Sequence, residues 1–482
     1  MLLVSPGTVA SDEQAVAKDV FFVVDTSGSM RGQKLVQAKG AAKYVLQNLN
    51  PEDRFNVIAF SSTIEPLGGG LRPVSQPDLA EAREFINRLT SRGGTNIYGA
   101  LTETLQQSEA GRPQVIVFLT DGLATEGEVR SEEILKAVRD LASPDVRLFT
   151  FGVGYDVNTI LLDTLAEEHH GASTYVQPEE DIETAVASFY DKISLPVLTD
   201  VHLDMGQART SDVFPFPLPD IFSGGQLVVV GRYREGGSTT VTLSGTRNGA
   251  TERLVYNDFS LEKDGGSDFI PRLWATRKIG HLLTQIRLHG AEGELIDEIV
   301  DLSVRYGIVT PYTSFLVDET EDALSREGRQ ALADQALNAL MPPARGGVGG
   351  GGGPAAAPTV SGQAAVEKSV AEEALRSAEA AAAPQSALVR TVGPKSFVLR
   401  GETWVDTAYE AAAMSAEKVP FGSERYFALL ASTPELGRYL AVGPHVIVLW
   451  DGTAYEVVPG DAPASVATPR SREWNWRWFA GD

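Results

Sequence analysis

Between residues 19 and 194, short apolar runs alternate with longer segments of helical period, and few folds accommodate such an alternation. The apolar runs are predicted as strands, and the periodic segments between them as amphipathic helices. Strands are predicted at 20–25, 55–60, 115–120, 146–153 and 173–176, and helices at 35–49, 79–89, 97–107, 131–141, 158–170 and 179–193. Buried strands separated by helices are typical of a parallel sheet that helices cover on both faces. The pattern predicts an α/β domain with a doubly wound, mostly parallel sheet over residues 19–194.

The composition changes after Leu195-Pro196, where segments of period two replace the helical period. Strands are predicted at 197–203, 226–233, 239–244 and 252–261. Gly-Gly and Asn-Gly pairs between them are turn signals typical of antiparallel hairpins. Helical period returns at 270–289 and 292–304, and 314–317 is one further candidate strand. Residues 195–320 are therefore predicted to form a β-rich unit with helices.

A glycine-rich stretch follows, and it separates the β-rich unit from the C-terminal part of the chain. Residues 346–353 contain seven glycines and one valine, which predicts a flexible tether within a low-complexity linker over residues 321–387. The segment 366–383 in this linker is rich in Ala and Glu and has few large apolar side chains. It is expected to be at most a solvated helix with little to pack against.

Aromatic and β-branched residues return after the linker, and residues 388–482 are predicted to form a small α+β module with a Trp-rich tail. Its predicted strands are 397–399, 403–409 and 446–450, with a helix at 426–431 and a hairpin turn at Asp451-Gly452. The tail carries Trp474, Trp476 and Trp478, which share one face if the tail is extended. This face is expected to cover a hydrophobic edge, and a peptide or membrane contact is the alternative.

The net charge and the composition exclude several classes of function. The 482 residues include 41 basic and 64 acidic side chains, a formal net charge of −23, so nucleic acid or an anionic membrane as main partner would meet like charge. The absence of cysteine excludes disulfides, thiolate zinc sites and cysteine nucleophiles. No apolar stretch is long enough for a transmembrane segment, and residues 1–4 do not form a signal peptide. The chain as written, if complete, is expected to be cytoplasmic.

Three predicted loops bring side-chain oxygen atoms to one edge of the sheet. The first strand ends at Asp25 and runs into Thr26-Ser27-Gly28-Ser29, the strand at 115–120 runs into Asp121, and a loop between them holds Thr95. Ligands of open α/β sheets bind at this carboxyl edge. Hard divalent cations prefer oxygen ligands; two carboxylates balance the 2+ charge, and neutral hydroxyls leave the ion able to accept an outside carboxylate. The predicted ligands of a Mg²⁺ or Mn²⁺ ion are Asp25, Ser27, Ser29, Thr95 and Asp121.

A simpler interpretation of part of this pattern is that Asp25 and Ser29 only cap the turn that follows the strand. Such caps need neither a distant threonine nor a second aspartate. The presence of Thr95 and Asp121 at the same predicted edge therefore favours the metal site.

The Asp-x-Ser-x-Ser spacing with the distant Thr95 and Asp121 resembles the metal-ion-dependent adhesion site of von Willebrand factor type A domains. The resemblance implies that Ser27, Ser29 and Thr95 contact the ion directly. It further implies that the two aspartates act directly or through water, and that the domain binds a partner protein through the ion.

A wider resemblance, over residues 1–320, is to the inter-alpha-trypsin inhibitor heavy chains and their bacterial relatives. The residues that carry it are Asp53-Arg54-Phe55-Asn56, Arg92-Gly93-Gly94-Thr95-Asn96, Pro217-Leu218-Pro219-Asp220 with Phe222, and Arg305-Tyr306-Gly307-Ile308-Val309-Thr310-Pro311-Tyr312-Thr313-Ser314-Phe315. In such proteins a β-sandwich domain, named for the vault and inhibitor proteins, precedes the type A domain, and residues 1–18 look like its remnant or junction. The resemblance implies an extracellular or cell-envelope location.

The expected function is metal-ion-dependent adhesion without catalysis, in which the bound ion docks an Asp or Glu carboxylate of a partner protein. Met30, Ser61, Asn96 and Leu123 flank the three loops and are predicted as the rim of the docking face. Two alternatives remain: a metal-dependent hydrolase, which needs a general base that the sequence does not identify, and a structural assembly scaffold held together by the C-terminal module and tail.

Other chemistries fit the sequence poorly. Ser27 stands where a phosphotransferase with paired aspartates needs its second carboxylate, and Leu35 stands where a P-loop needs Ser or Thr after Lys34. No G-x-S-x-G motif surrounds the candidate serines. The pair His169-His170 is interpreted as structural, at a helix end where Gly171 supplies the left-handed cap.

Overall fold

The computed structural model describes residues 1–5, 16–247, 249–263, 266–308, 310, 360–380, 389–409 and 414–459. These residues form two compact units, one with the described residues up to Ser303 together with 360–380, and one with the described residues from Val304 to 310 and from 389 onward. The predicted tether, the candidate strand at 314–317 and the Trp-rich tail lie outside the described residues. The domain boundaries given above stay a prediction.

The first unit is built around a seven-stranded sheet with the predicted doubly wound topology. After the short strand β1 (Leu2–Val4), its strands are β2 (Asp19–Asp25), β3 (Arg54–Phe60), β4 (Ile64–Pro66), β5 (Arg72–Pro73), β6 (Gln114–Thr120), β7 (Val146–Val153) and β8 (Ser173–Val176). Their order is β4-β3-β2-β6-β7-β8, with β5 paired to β3. The four pairings that join β3, β2, β6, β7 and β8 are all parallel. The strand order reverses at β2, and a crevice opens beside β2 and β6 at such a point.

Six helices cover the two faces of this sheet: α1 (Gln33–Gln47), α2 (Gln76–Arg88), α3 (Ile97–Gln106), α4 (Ser131–Leu141), α5 (Thr159–Glu168) and α6 (Ile182–Ile193). Side chains alternate along β2, so that Phe22 packs with α1, α2 and α6 while Phe21 packs with α3, α4 and α5. Asn96 and Asn158 cap α3 and α5 through hydrogen bonds to backbone N–H groups. The predicted fold class is confirmed, and all five predicted strands lie within one residue of the observed ones.

The predicted left-handed cap after α5 was assigned to the wrong residue. His170 adopts the left-handed conformation, with φ of 52°, and His169 is buried. Gly171 is needed for space, since a Cβ there would lie 1.9 Å from the carbonyl oxygen of Leu148. The glycine allows close approach between this loop and β7.

The β-rich part of the first unit consists of two small sheets. Its strands are β9 (Pro196–Asp204), β10 (Thr210–Phe214), β11 (Ile221–Phe222), β12 (Leu227–Tyr233), β13 (Gly237–Arg247) and β14 (Ala250–Leu261), ordered β1-β12-β10 and β11-β9-β13-β14. Two helices follow, α7 (Ile270–His289) and α8 (Gly293–Tyr306). Arg147 of β7 is 3% exposed and pairs with Asp220 at 2.8 Å and Asp200 at 2.6 Å, so a partly buried ion-pair network joins the two sheet systems.

The Ala- and Glu-rich segment of the predicted linker is not a solvated helix. Gln363–Arg376 forms α9, which packs against α7 and α5. Val366 is fully buried in the core that contains α5, and the Ser369 hydroxyl donates to Asp163 at 2.6 Å. Arg287 of α7 donates to Glu372 at 2.5 Å. The expectation failed because a narrow stripe of small apolar side chains is enough to dock α9 when the neighbouring helices supply partners for the polar side chains of α9.

The second unit is an α+β module, as predicted. Its strands are β15 (Val389–Val392), β16 (Lys395–Arg400), β17 (Thr403–Asp406), β18 (Ala416–Pro420), β19 (Val446–Trp450) and β20 (Thr453–Val458), in the order β15-β16-β17-β19-β20-β18. Its helices are α10 (Glu424–Ser432) and the short α11 (Gly437–Leu440). Asp451 and Gly452 have φ of 47° and 76° and join β19 to β20, which confirms the predicted hairpin turn. In the described parts of the chain, no helix is long and apolar enough to cross a membrane.

The docking of α9 generates a test on two valines of the same helix. Val366→Asp would bury a charge and should release α9, whereas Val370→Asp is the matched control because Val370 is 40% exposed. Hydrogen exchange should show that amides 366–376 lose protection only in Val366→Asp, while amides of β2 keep theirs. Equal protection of α9 in the two variants would contradict this packing.

Candidate metal centre

Asp25 ends β2 as a buried carboxylate with both oxygen atoms in fixed positions. The Ser27 backbone N–H donates to Oδ1 at 2.7 Å, and the Thr120 hydroxyl donates to Oδ2 at 2.7 Å. The first contact is the local turn that the simpler interpretation predicted. The second comes from the end of β6, 95 residues away in sequence, so a local cap does not account for the arrangement.

Thr95 lies in the loop between α2 and α3, and backbone hydrogen bonds fasten this loop to the one after β2. Gly28 N–H donates to the Gly93 carbonyl at 3.0 Å, and Arg92 N–H donates to the Thr26 carbonyl at 2.8 Å. The Thr95 N–H donates to the Thr125 hydroxyl at 2.8 Å, and Thr95 itself is 4% exposed. The loop therefore holds the Thr95 hydroxyl against the other two loops.

Asp121 follows β6 and connects to the serine loop through hydroxyl groups. The Ser29 hydroxyl donates to Asp121 Oδ1 at 2.6 Å and lies 2.9 Å from the Ser27 hydroxyl. Because the Ser29 proton points at Asp121, the Ser27 hydroxyl is the donor between the two serines. A Cβ at Gly122 would lie 3.6 Å from the Thr95 hydroxyl oxygen and 3.9 Å from that of Ser29. The structure thus brings all five predicted residues to one edge of the sheet.

The donor set fits a hard divalent cation. It offers two carboxylates and three hydroxyls, all oxygen, with no nitrogen or sulfur, as Mg²⁺ and Mn²⁺ prefer. Among the described residues, there is no cluster of three or more His, Asp or Glu side chains that could hold a metal ion. A site in this part of the chain therefore relies on hydroxyl groups, which add no negative charge to that of the two aspartates.

The two carboxylates lie in different electrostatic environments. Burial raises the pKa of Asp25 to about 6, against the lowering effect of the hydrogen bonds from Thr120 and Ser27. Asp121 is 1% exposed and pairs instead with the ammonium group of Lys34, whose Nζ lies 2.6 Å from Oδ2. The negative charge of Asp25 is thus costly in the protein alone, while that of Asp121 has a cationic partner.

The sequence analysis missed Lys34 and Thr120 as parts of this site. Thr120 is the last residue of the strand that precedes Asp121, and Lys34 lies off the apolar stripe of α1 just after the serine loop. Both residues adjoin predicted ligand loops in sequence, and this proximity could have marked them as candidates. Their contacts with the two aspartates are visible only in the folded structure.

Two of the four residues predicted for the rim of the docking face are wrong. Met30 is fully buried in the core beneath α1, and Ser61 is 4% exposed. Leu123 is 40% exposed, and Asn96 is partly exposed while it caps α3. Residues next to a loop in sequence can point either into the core or toward solvent, and their position in sequence alone does not tell which.

Comparisons with known proteins agree with this fold. A family model described as the von Willebrand factor type A domain matches residues 18–175. Inter-alpha-trypsin inhibitor heavy chain H3 of Rattus norvegicus is 31% identical over 341 residues, which cover 66% of this chain and 38% of that protein. Heavy chain H2 of Homo sapiens is 29% identical over 325 residues, covering 63% of this chain and 34% of that protein. The chain thus spans little more than a third of these curated relatives.

Among solved structures, a von Willebrand factor type A protein from Catenulispora acidiphila is 16% identical, with a TM-score of 0.44 over 67% of this chain and 88% of that chain. Together with the parallel sheet and its flanking helices, the family match and the curated relatives show that the chain contains a von Willebrand factor type A domain and is related to the inter-alpha-trypsin inhibitor heavy chains.

Proposed function

We propose that the type A domain of this chain binds a protein partner through a divalent cation, Mg²⁺ or Mn²⁺, held by Asp25, Ser27, Ser29, Thr95 and Asp121. The observation that carries the proposal is the convergence of five side-chain oxygen donors from three loops, with only two carboxylates among them. Type A domains typically mediate metal-dependent protein interactions, which supports the same function.

The bound ion would supply an electrophilic coordination position that an Asp or Glu side chain of the partner could fill. The residues of this chain act by positioning. Thr120 and the Ser27 N–H hold the Asp25 carboxylate, and the exposed Ser29 lies where an outside ligand can approach. Both aspartates are buried, and their carboxylates are held by contacts within the protein.

The hydrolase alternative gains no support from the contacts of the site. Within the described residues, the side chains that contact Asp25 and Asp121 are hydroxyl groups and the Lys34 ammonium, and no imidazole or further carboxylate is among them to act as a general base. Cavities of about 200 and 280 Å³ lie beside α9, and none of the five donors lines them. We therefore propose a binding function without catalysis.

Removal of either carboxylate should abolish metal and partner binding together. Asp121→Ala and Asp25→Ala should weaken Mn²⁺ affinity by about 100-fold or more, since changes to groups outside the coordination shell already cost 10–100-fold. Titration calorimetry measures the metal affinity, and capture of partners from extract with Mg²⁺ or with EDTA measures the interaction.

Asp140→Ala is the matched control because Asp140 is exposed near the end of α4 and its loss changes the net charge equally. Partner capture that survives EDTA and both site variants would refute the proposal. Capture lost in the site variants but unaffected by EDTA would point to a metal-independent contact with the same loops.

The raised pKa of Asp25 predicts that Asn at this position stabilises the metal-free protein. Above pH 6 the folded state must bury a charged carboxylate whose pKa is raised from 3.8 to about 6, and this cost disappears as the group becomes protonated at lower pH. Asp25→Asn should gain about 2–3 kcal/mol in EDTA at pH 7.5, and less than about half of that near pH 4.5. Urea unfolding at the two pH values checks this, and a variant less stable than the parent at pH 7.5 would contradict it.

A further inference from the structure

Lys34 is the one basic side chain that the described hydrogen bonds place directly on a carboxylate of the metal centre. Its Nζ lies 2.6 Å from Asp121 Oδ2, while the Ser29 hydroxyl donates to Oδ1 at 2.6 Å. Both oxygen atoms of Asp121 thus have partners within the protein. An ion that binds Asp121 must share or displace one of these two contacts.

The position of Lys34 follows from the start of α1. Gly32, with φ of 87°, turns the chain from the serine loop into the helix, and Lys34 is the second helical residue. Its side chain is 41% exposed, and a Cβ at Gly154 in the loop after β7 would lie 4.0 Å from Nζ. The ammonium group therefore reaches Asp121 from a side chain that is partly exposed to solvent.

The charges of the centre make this contact more than a surface ion pair. The centre contains two carboxylates, those of Asp25 and Asp121, and the Lys34 ammonium pairs with one of them. A dication that enters the metal centre is therefore attracted less strongly by Asp121, and it is also repelled by the Lys34 ammonium. At a separation of about 6 Å in a water-like dielectric, repulsion between a single and a double positive charge is worth about tenfold in affinity.

We propose that Lys34 is a built-in counter-cation that competes with the divalent ion for Asp121 and keeps the ion weakly bound and exchangeable. The proposal rests on the function proposed above and adds a regulation to the same site. Without an ion, Lys34 stabilises the charge of Asp121. When an ion binds, the ammonium gives up part of this contact. The affinity of the site for the ion is therefore lowered by Lys34, and the occupied fraction of the site follows the concentration of free ion.

The test compares Lys34→Gln with Lys34→Arg and Lys43→Gln in the full chain. Lys34→Gln removes the charge at the site, Lys34→Arg keeps it, and Lys43→Gln removes a charge from the same helix nine residues away. Mn²⁺ and Mg²⁺ affinities are measured by calorimetry at fixed ionic strength, with circular dichroism in EDTA to confirm that each variant is folded. Lys34 is half-exposed, so all three variants should fold.

We expect Lys34→Gln to bind Mn²⁺ about tenfold more tightly than the parent protein. Lys34→Arg keeps the charge and should bind less tightly than Lys34→Gln, and Lys43→Gln should stay within about twofold of the parent. Lys34→Gln binding with equal or weaker affinity than the parent would overturn the proposal; weaker binding would mean that Lys34 orients Asp121 for the ion. If neither the parent nor any variant binds a divalent ion, the proposed function itself fails. Metal binding by the parent with no gain in Lys34→Gln leaves that function intact and removes only the role of Lys34.

Discussion

The parallel pairing of β2 with both β3 and β6 is the constraint on which the metal centre depends. Val24 of β2 lies opposite Leu119 of β6, and the two strands run in the same direction. Their last residues, Asp25 and Thr120, therefore end side by side at one edge, and Asp121 follows at once. Neither α1 nor the helices of the opposite face contribute a carboxylate, but their packing holds the strands in this register. The site is a product of strand direction as much as of residue type.

The same arrangement holds two carboxylates close together without an ion. Asp25 carries the cost of burial, visible in its raised pKa, whereas Asp121 is compensated by Lys34. The two aspartates are thus not equivalent, although the sequence motif presents them as a pair. This asymmetry follows from the chain path: α1 starts close enough to Asp121 for a lysine to reach it, while Asp25 is enclosed by its own strand and by Thr120.

Sequence periodicity was sufficient to predict the five main strands of the large sheet and the approach of the five oxygen donors to one edge, but it missed the short strands β4 and β5. Long apolar runs such as 146–153 leave little choice of structure, and parallel strands bring their ends together. Periodicity was insufficient for the two-residue strand β11 and for α9, whose small side chains carry little signal and whose burial depends on α5 and α7. The rim prediction failed at Met30 for a related reason, because one residue of a turn can point into the core.

The attachment of α9 changes what the glycine-rich stretch can do. When a linker between two independent domains is cut, the domains separate. Here the chain belongs to the first unit again after the glycine-rich stretch, because α9 packs there. Val366 and the contact between Ser369 and Asp163 hold α9 in place. A protease that cleaves between residues 346 and 353 would therefore leave two fragments that remain associated through α9. Cleavage at this stretch would be visible on a denaturing gel while the native particle kept its mass, so the protein could lose its covalent continuity without losing its parts.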